Sequence, residues 1–422
     1  FLSPFVYFFN LENMPDAVYL FTLIKFGLIG LTAAISLKGI FKKIPNFLIL
    51  MLSTCYSLMS FATSQIEIKT WLDVFILAPL ILYGLHLLLF KKDRVLYFTS
   101  LSILFIQNYY FGYMMALFLI FWFFVQTTWD FKNRIKTFLD FTIVSILSGV
   151  TSLIMILPTF LDLKTHGEKL TSVDRLFTEK TWFLDIFAKN FIGSFDTTKY
   201  GSIPMIYVGI VPLLLAILFF TLKSIKFHVK LSYFFLIIIF VASFSLERLD
   251  LFWQGMHAPN MFLHRYSWLF SLLVIFLAAE SLQRLKQIKF KNLIISFTIL
   301  SIGFILVFIF RKHYDFLGPV NFILTLEFLL AYLLIFGTFT KSFISKKVFF
   351  VTTLAFVCFE VSLNAFYQVD GIAKEWVFAS RSSYAKNLKQ IDNLVKYSKD
   401  NNTEFFRTET LDPQTGNDSM KY

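Results

Sequence analysis

The chain has 422 residues, of which 57% are hydrophobic, 19% aromatic and only 16% charged. Soluble domains carry about 25% charged residues, so this composition excludes a single water-facing core. The formal net charge of +12 does not indicate a nucleic-acid ligand, because the basic residues are concentrated in short loops between apolar runs. We therefore predict an all-α polytopic membrane protein that contacts the lipid bilayer and no nucleic acid.

About twelve apolar segments have a length and hydropathy that suit a bilayer core about 30 Å thick. In chain order they are residues 17–37, 46–63, 71–90, 95–106, 109–129, 137–160, 204–222, 231–245, 266–282, 292–310, 320–340 and 348–367. The loops between them alternate between short basic ones and longer, nearly neutral ones. The positive-inside rule places the basic loops in the cytoplasm, so both ends of the chain are expected on the extracellular side.

Few ionisable residues fall inside these segments, and most of them lie near segment ends, where snorkelling explains them. Lys25 and Glu327 lie deeper and are the stronger candidates for a function within the membrane. The chain contains no P-loop, dinucleotide-binding or HExxH motif. Its motifs therefore predict neither a nucleotide site nor a zinc-protease site.

The stretch FIQNYYFGYM, residues 105–114, places polar side chains in an otherwise apolar region. The loops on both sides of residues 95–129 are basic, so the chain must reverse direction within this region. The segment before the reversal has about 12 residues, roughly 18 Å as a helix, so we expect the turn below the outer surface. Asn108, Tyr109 and Tyr110 then line the floor of an outward-facing cavity. The alternative is that the two tyrosines belong to an interfacial aromatic belt.

The loop of residues 161–203 is long and balanced in charge. Its stretch TWFLDIFAKNFIGSF, residues 181–195, has aromatic and aliphatic side chains at helical spacing, which predicts an amphipathic helix in the outer interface. The chain then re-enters the membrane, with Asp196 and Tyr207 expected near the surface. Asp196 is a candidate acid, base or sugar contact.

Residues 247–266, ERLDLFWQGMHAPNMFLHRY, place Arg248, His264 and Arg265 among aromatic side chains. A guanidinium group at the outer mouth of a helix suits a phosphate headgroup, because its N–H fork matches phosphate oxygens. The alternative is that Arg265 only caps the bilayer edge. A metal site at His257 and His264 is not favoured, since no carboxylate stands at ligand spacing.

After residue 368 the composition becomes that of a soluble protein. Residues 381–410 have the pattern of a helix followed by the start of a strand. We expect a membrane domain over residues 1–368 and the start of an extracellular soluble domain over residues 369–422. Because the chain opens with Phe1 and ends in a polar stretch, we interpret it as a fragment.

Four stretches together resemble the YfhO family of bacterial membrane proteins: LSPFVYFFNLENMPDAVYLFTLIKFGLIGLTA (residues 2–33), NYYFGYMMA (108–116), GSFDTTKYGSIPMIYVGIVPLLLA (193–216) and PNMFLHRYSWLFSLLVIFLA (259–278). The resemblance implies a GT-C type glycosyltransferase in the bacterial cell membrane. Such enzymes take a sugar from a polyprenyl-phosphate donor on the outer leaflet and pass it to an extracytoplasmic acceptor, here a cell-envelope polymer such as teichoic acid. The resemblance leaves the sugar and the need for a divalent metal open.

The resemblance also suggests two roles for the candidate residues. The donor-phosphate contacts are Arg248, His264 and Arg265, and the sugar and acceptor cavity is lined by Asn108, Tyr109, Tyr110, Asp196 and Tyr207. The family carries an acidic loop before its Ser-Pro element, but this chain opens at Ser3-Pro4. The catalytic carboxylate is therefore expected upstream of Phe1. Two other functions stay open: a membrane permease or lipid flippase, and a non-catalytic envelope scaffold.

Overall fold

The computed structural model describes residues 2–129, 134–167, 171–173, 175–376, 378 and 380–401. Over this part of the chain the regular structure is helical, apart from an isolated bridge between Phe177 and Leu246. The α-helices are α1 (Met14–Ile40), α2 (Asn46–Ser57), α3 (Ser60–Ser64), α4 (Lys69–Lys91), α5 (Val95–Gln107), α6 (Tyr109–Thr127), α7 (Arg134–Thr151), α8 (Leu153–His166), α9 (Asp185–Ala188), α10 (Ile210–Thr221), α11 (Phe227–Ser245), α12 (Glu247–Trp253), α13 (Ser267–Leu282), α14 (Phe290–Ile309), α15 (Pro319–Thr340), α16 (Lys346–Glu375) and α17 (Arg381–Asp400). Short 3₁₀ helices cover Ser3–Phe8, Leu11–Asn13, Leu285–Gln287 and Arg311–His313.

Eight helical stretches in the described ranges are long and apolar enough to cross a bilayer: α1, α2 with α3, α4, α6, α11, α14, α15 and α16. The axes of α7 and α8 differ by 70° at the break between them, and the two helices make a ninth span if they are counted together. α5, α10 and α13 are also apolar but are shorter. Each of the twelve predicted segments overlaps one of these helices. Twelve full spans are not confirmed, because hydropathy detects apolar composition and does not separate a full span from a short buried helix.

α13 lies at the centre of the bundle, since every residue from Ser267 to Leu282 is buried. A helix that is buried on all sides must be surrounded by other elements, and α10 packs along it. Because protein covers α13, its length of 16 residues does not need to match the thickness of the bilayer.

Residues 201–209, which precede α10, form a buried segment that is not helical. Hydroxyl groups of α13 satisfy two of its carbonyl groups: Ser267 Oγ donates to the Met205 oxygen at 3.2 Å, and Ser271 Oγ donates to the Ile206 oxygen at 3.3 Å. Non-helical backbone inside a membrane protein needs such partners, because lipid offers none. The polar residues of α13 therefore support its neighbour's backbone.

The predicted reversal at residues 107–110 is confirmed. α5 ends at Gln107 and α6 begins at Tyr109. Asn108 between them is extended (φ −157°), and its Oδ1 accepts the N–H of Phe111 at 3.0 Å. Asn108 is thus the N-cap of α6, which gives this polar side chain a structural reason to be there.

The prediction of an amphipathic helix over residues 181–195 is wrong. Only Asp185–Ala188 are helical, and Lys189 is 1% exposed, with its ammonium group 2.7 Å from Asp196 Oδ1. Tertiary contacts bury polar as well as apolar side chains of this stretch, so it does not lie as a two-faced helix in the interface. Helical spacing of aromatic residues alone does not reveal that.

The chain forms two compact units, residues Thr22–Glu375 and residues Phe1–Phe21 with Trp376–Tyr422. In the second unit, α17 forms where the sequence predicts a helix, and Arg381 pairs with Asp16. The predicted strand start after α17 lies outside the described residues.

Candidate functional site

The loop between α12 and α13 contains an unusual run of left-handed backbone. Met256, Met261, Phe262 and His264 have φ values of +64°, +68°, +51° and +50°. Each such non-glycine residue costs on the order of 1–3 kcal/mol and persists only where surrounding contacts hold it. Because strain of this kind clusters at functional sites, this loop is a candidate functional site.

Asp250 on α12 holds this loop. Its Oδ1 accepts hydrogen bonds from His264 Nδ1 at 2.8 Å and from the Tyr266 hydroxyl at 3.0 Å, and its Oδ2 accepts one from Gln254 Nε2 at 2.7 Å. All four side chains are buried, and a buried carboxylate is tolerated when donors of this kind surround it. The arrangement orients the His264 ring and positions Arg265, the next residue in the chain.

Arg265 is a half-buried cation among neutral partners. Its guanidinium donates to the carbonyl oxygens of Met261 and Phe262, both at 3.2 Å. Its Cζ lies 5.4 Å from the centre of the Trp71 ring and 5.5 Å from that of Tyr110, within the range of cation–π attraction. No carboxylate pairs with Arg265 in the described part of the chain, so its positive charge is available to an anion.

The structure brings the α5–α6 turn and Arg265 together. Besides facing the guanidinium, Tyr110 donates from its hydroxyl to Gln254 Oε1 at 3.4 Å, which connects the turn to the hydrogen bonds around Asp250. Tyr109, one residue earlier, is 45% exposed. Tyr110 therefore presents a fixed ring to the cation, and the ring of the adjacent Tyr109 is accessible to solvent or lipid.

The other predicted site residues have different surroundings. Arg248 is exposed on α12, facing away from the buried side of that helix. Asp196 accepts the N–H of Ile203 at 2.8 Å in addition to its pairing with Lys189. Tyr207 is 0% exposed, so the expectation that it lies near the surface is wrong. Its hydroxyl instead donates to a buried glutamate of α16.

Sequence reasoning missed the residues that hold Arg265 in place. Asp250 and Gln254 are four residues apart in ERLDLFWQ. This spacing puts two polar side chains on one face of a helical turn, and it could have indicated that they interact. No pattern in the sequence connects Trp71 with Arg265, since only the tertiary fold brings the two residues together. The spacing of residues in the sequence did not reveal the contact between His264 and the Asp250 carboxylate. Among the residues described, no group of three or more His, Cys, Asp or Glu side chains is suited to a metal ion.

A second buried carboxylate, Asp185, lies near this loop. It accepts the backbone N–H of Trp182 at 2.7 Å and the hydroxyl of Tyr314 at 2.9 Å, and it borders a cavity of about 30 Å³. Burial raises the pKa of Asp185 above its usual range, and these two hydrogen bonds together with His313 and His264 only partly oppose that rise. The side chain is thus sensitive to acidification in a way that an exposed aspartate is not.

The raised pKa of Asp185 predicts how stability depends on pH. An acid whose pKa is higher in the folded than in the unfolded chain binds protons more tightly when folded, so this contribution to stability is lost as the pH rises above the ordinary value of 3.8 through the folded pKa. Asp185→Asn keeps one acceptor oxygen, for the N–H of Trp182, and places an amide NH₂ beside the oxygen of the Tyr314 hydroxyl, but it does not titrate. We expect the melting temperature of the wild type, measured relative to that of Asp185→Asn, to fall from acidic to neutral pH.

The control for this comparison is Asp315→Asn, which changes an exposed aspartate in the same region. Its melting-temperature difference from the wild type should vary much less with pH. A pH-independent difference for Asp185→Asn would show that burial does not control this carboxyl group.

The model of the family described as bacterial membrane protein YfhO matches residues 1–422 of this chain. Comparisons with curated proteins and with solved structures give no match. The family resemblance of the sequence is therefore confirmed over the whole chain, and the multi-pass helical structure agrees with a membrane protein.

Proposed function

Because the chain belongs to the YfhO family of bacterial membrane proteins, we propose that it is a GT-C type glycosyltransferase. It moves a sugar from a polyprenyl-phosphate donor to an extracytoplasmic cell-envelope acceptor such as teichoic acid. The observation that carries the proposal is Arg265: a half-buried guanidinium that no carboxylate neutralises within the described residues, held between Trp71 and Tyr110. This is the chemistry that a phosphate-bearing substrate requires.

In the proposed reaction the oxygen of an acceptor hydroxyl attacks the anomeric carbon of the donor sugar. The bond between that carbon and the phosphate oxygen breaks, its electron pair stays on the phosphate, and the hydroxyl proton passes to a base. Arg265 stabilises the negative charge that develops on the leaving phosphate. The base is not assigned to a residue of this chain.

His264 supports this role indirectly in the proposal. It is 2% exposed and its Nδ1 is bonded to Asp250, a geometry that favours a positioning residue over a direct phosphate contact. Arg248 remains a candidate for long-range attraction of the donor, since it is exposed on the neighbouring α12. Tyr109 and Tyr110 are proposed to line the sugar cavity, because tyrosine offers both a stacking face and a hydroxyl group.

The proposed orientation follows from the loops. The site is built by the ends of helices opposite to the basic loops at residues 38–43, 91–94, 223–230, 283–291 and 341–347. The positive-inside rule assigns those loops to the cytoplasm, and we propose on that ground that the site opens to the extracellular side, where both chain ends are also expected. That is the side on which an outer-leaflet donor is available.

The proposal is tested with Arg265→Ala. Loss of one group that stabilises transition-state charge typically costs about 100-fold in rate, so sugar transfer from a polyprenyl-phosphate donor should fall by about that factor in membranes that contain the variant. Arg265→Lys keeps the charge but not the fork, and we expect it to recover part of the activity. Transfer rates are compared at equal amounts of folded protein.

Arg94→Ala is the matched control, because it removes an exposed arginine at the opposite end of the bundle. It should transfer sugar at the wild-type rate. Undiminished transfer by Arg265→Ala would remove Arg265 from the site. A loss of lipid translocation without a loss of sugar transfer would favour a flippase instead.

A further inference from the structure

A second basic and aromatic surface lies at the end of α14. The 3₁₀ helix Arg311–His313 follows α14 directly, and all three of its side chains are exposed. Together with Trp182 and residues 308–310 they line an open groove of about 600 Å³. We call this surface, made of Trp182 and residues 308–313, the α14 groove. It is separate from the residues that contact Arg265.

The wall of the α14 groove is held in place from inside the protein. The Trp182 ring lies 5.2 Å from the ring of Phe310 and 4.6 Å from that of His313, measured between ring centres. The backbone N–H of Trp182 and the hydroxyl of Tyr314 both donate to the buried Asp185. The aromatic side of the groove is therefore fixed before any ligand arrives, which lowers the entropic cost of binding.

Among the described residues, no carboxylate forms an ion pair with the cations of the α14 groove. Arg311 stacks on the ring of Phe308, with its Cζ 4.9 Å from the ring centre, and neither Arg311 nor Lys312 forms a salt bridge within the described ranges. A cation at a helix C-terminus gains about 0.3–1 kcal/mol from the helix dipole, and this gain falls off within one turn. The dipole therefore does not explain why two cations, Arg311 and Lys312, stand next to each other. An anion between them removes their mutual repulsion.

The apolar surface next to these cations indicates the kind of anion. Exposed side chains repeat every three or four residues along α14 and end at the groove: Ile295, Ile299, Ile302, Ile305, Phe308 and Ile309. In a membrane protein such a stripe faces acyl chains. A hydrocarbon surface that ends at exposed cations and an indole ring matches an amphiphile with an anionic head.

We propose that the α14 groove binds the phosphate head group of an anionic bilayer lipid, whose acyl chains lie along α14. Arg311 and Lys312 contact the phosphate oxygens, and Trp182 packs against the glycerol region. The inference does not depend on glycosyl transfer, because the groove shares no residue with the proposed reaction site. A soluble phosphate or an acidic protein would contact the cations but would not use the apolar stripe that leads to them.

The test uses the protein in nanodiscs, with Trp182 as the reporter. Its fluorescence is taken as the difference between the wild type and Trp182→Phe, a variant that keeps the backbone hydrogen bond to Asp185. Phosphatidylglycerol and phosphatidylcholine, each brominated near the head group, are compared as quenchers at equal mole fraction. Since a basic residue near a surface typically contributes about fivefold to anionic-lipid affinity, we expect phosphatidylglycerol to be preferred by about tenfold or more.

Arg311→Gln/Lys312→Gln should abolish the preference for phosphatidylglycerol over phosphatidylcholine, because it removes both charges and keeps the aromatic wall. Lys42→Gln/Lys43→Gln is the matched control: it removes two adjacent exposed cations from another loop and should leave quenching of Trp182 unchanged. Equal quenching by the two lipids, or a preference that survives Arg311→Gln/Lys312→Gln, would overturn the proposal. So would relief of quenching by millimolar inorganic phosphate, which would identify a soluble anion as the occupant.

Discussion

Glu360→Ala is expected to lower the free energy of unfolding by about 3–5 kcal/mol, a large part of the stability of a typical domain. The carboxylate on α16 is 0% exposed and accepts hydrogen bonds from the hydroxyls of Tyr207 and Tyr332 and from the N–H of Ile210, the last at 2.6 Å. Alanine leaves these three buried donors without an acceptor, and each such loss costs about 1–3 kcal/mol. Thermal unfolding in detergent, followed by size-exclusion chromatography, measures the effect.

The position of this carboxylate explains why the effect is large. Ile210 is the first residue of α10, and the preceding Gly209 has φ +101°, a conformation that residues with a Cβ rarely adopt. Glu360 thus caps the positive end of α10 where the chain changes from the buried extended segment to the helix. Removing it disturbs the start of a helix that packs along the centre of the bundle.

Two control variants distinguish the loss of the hydrogen bonds to Glu360 from the general effect of removing a glutamate inside the membrane. Glu327→Ala makes the same change on α15, where the side chain is exposed, and it should not destabilise the protein. Glu360→Gln keeps an acceptor oxygen, so its loss of unfolding free energy should lie between that of Glu360→Ala and that of Glu327→Ala. If Glu360→Ala and Glu327→Ala unfold at the same temperature, the network does not hold α10.

Lys25→Met is expected to cost about 3–5 kcal/mol as well, because it leaves a buried carboxylate without its cation. Lys25 and Asp73 are 7% and 1% exposed, and the Lys25 ammonium lies 2.9 Å from Asp73 Oδ1 and donates to the carbonyl oxygen of Lys69 at 2.9 Å. Asp73 Oδ2 also accepts from Gln107 Nε2 at 2.9 Å, so the pair extends to the end of α5.

A double-mutant cycle tests this ion pair. Lys25→Met/Asp73→Asn removes both charges and keeps an amide partner for Gln107, so it should recover most of the stability lost in Lys25→Met. Arg94→Met provides the comparison with an exposed pair: Arg94 and Asp140 have side chains 58% and 25% exposed, and breaking such a pair costs about 0–1 kcal/mol. A double variant no more stable than Lys25→Met would show that the two charges are not coupled.

The residues of these two networks differ in burial from neighbours that look alike in the sequence. Lys25 and Glu327 appear equally deep in their segments, yet the structure pairs Lys25 with Asp73 and leaves Glu327 exposed. Glu360 lies about as deep in its predicted segment as Glu327, but it is fully buried and accepts hydrogen bonds from three donors. Depth in a hydropathy profile gives no information about the direction in which a side chain points.

Apolar composition and charge alternation are local properties, and they were enough to predict the membrane class, the helical architecture, the approximate position of each apolar helix and the reversal at Asn108. The sequence also identified Arg265 and Tyr110 as candidates. The folded chain was needed to show that Trp71 and Tyr110 enclose Arg265, that Asp250 holds His264, and which apolar helices are too short to span the bilayer. Contacts between residues far apart in the chain depend on how helices pack, and the free energy of transferring one segment into lipid does not contain that information.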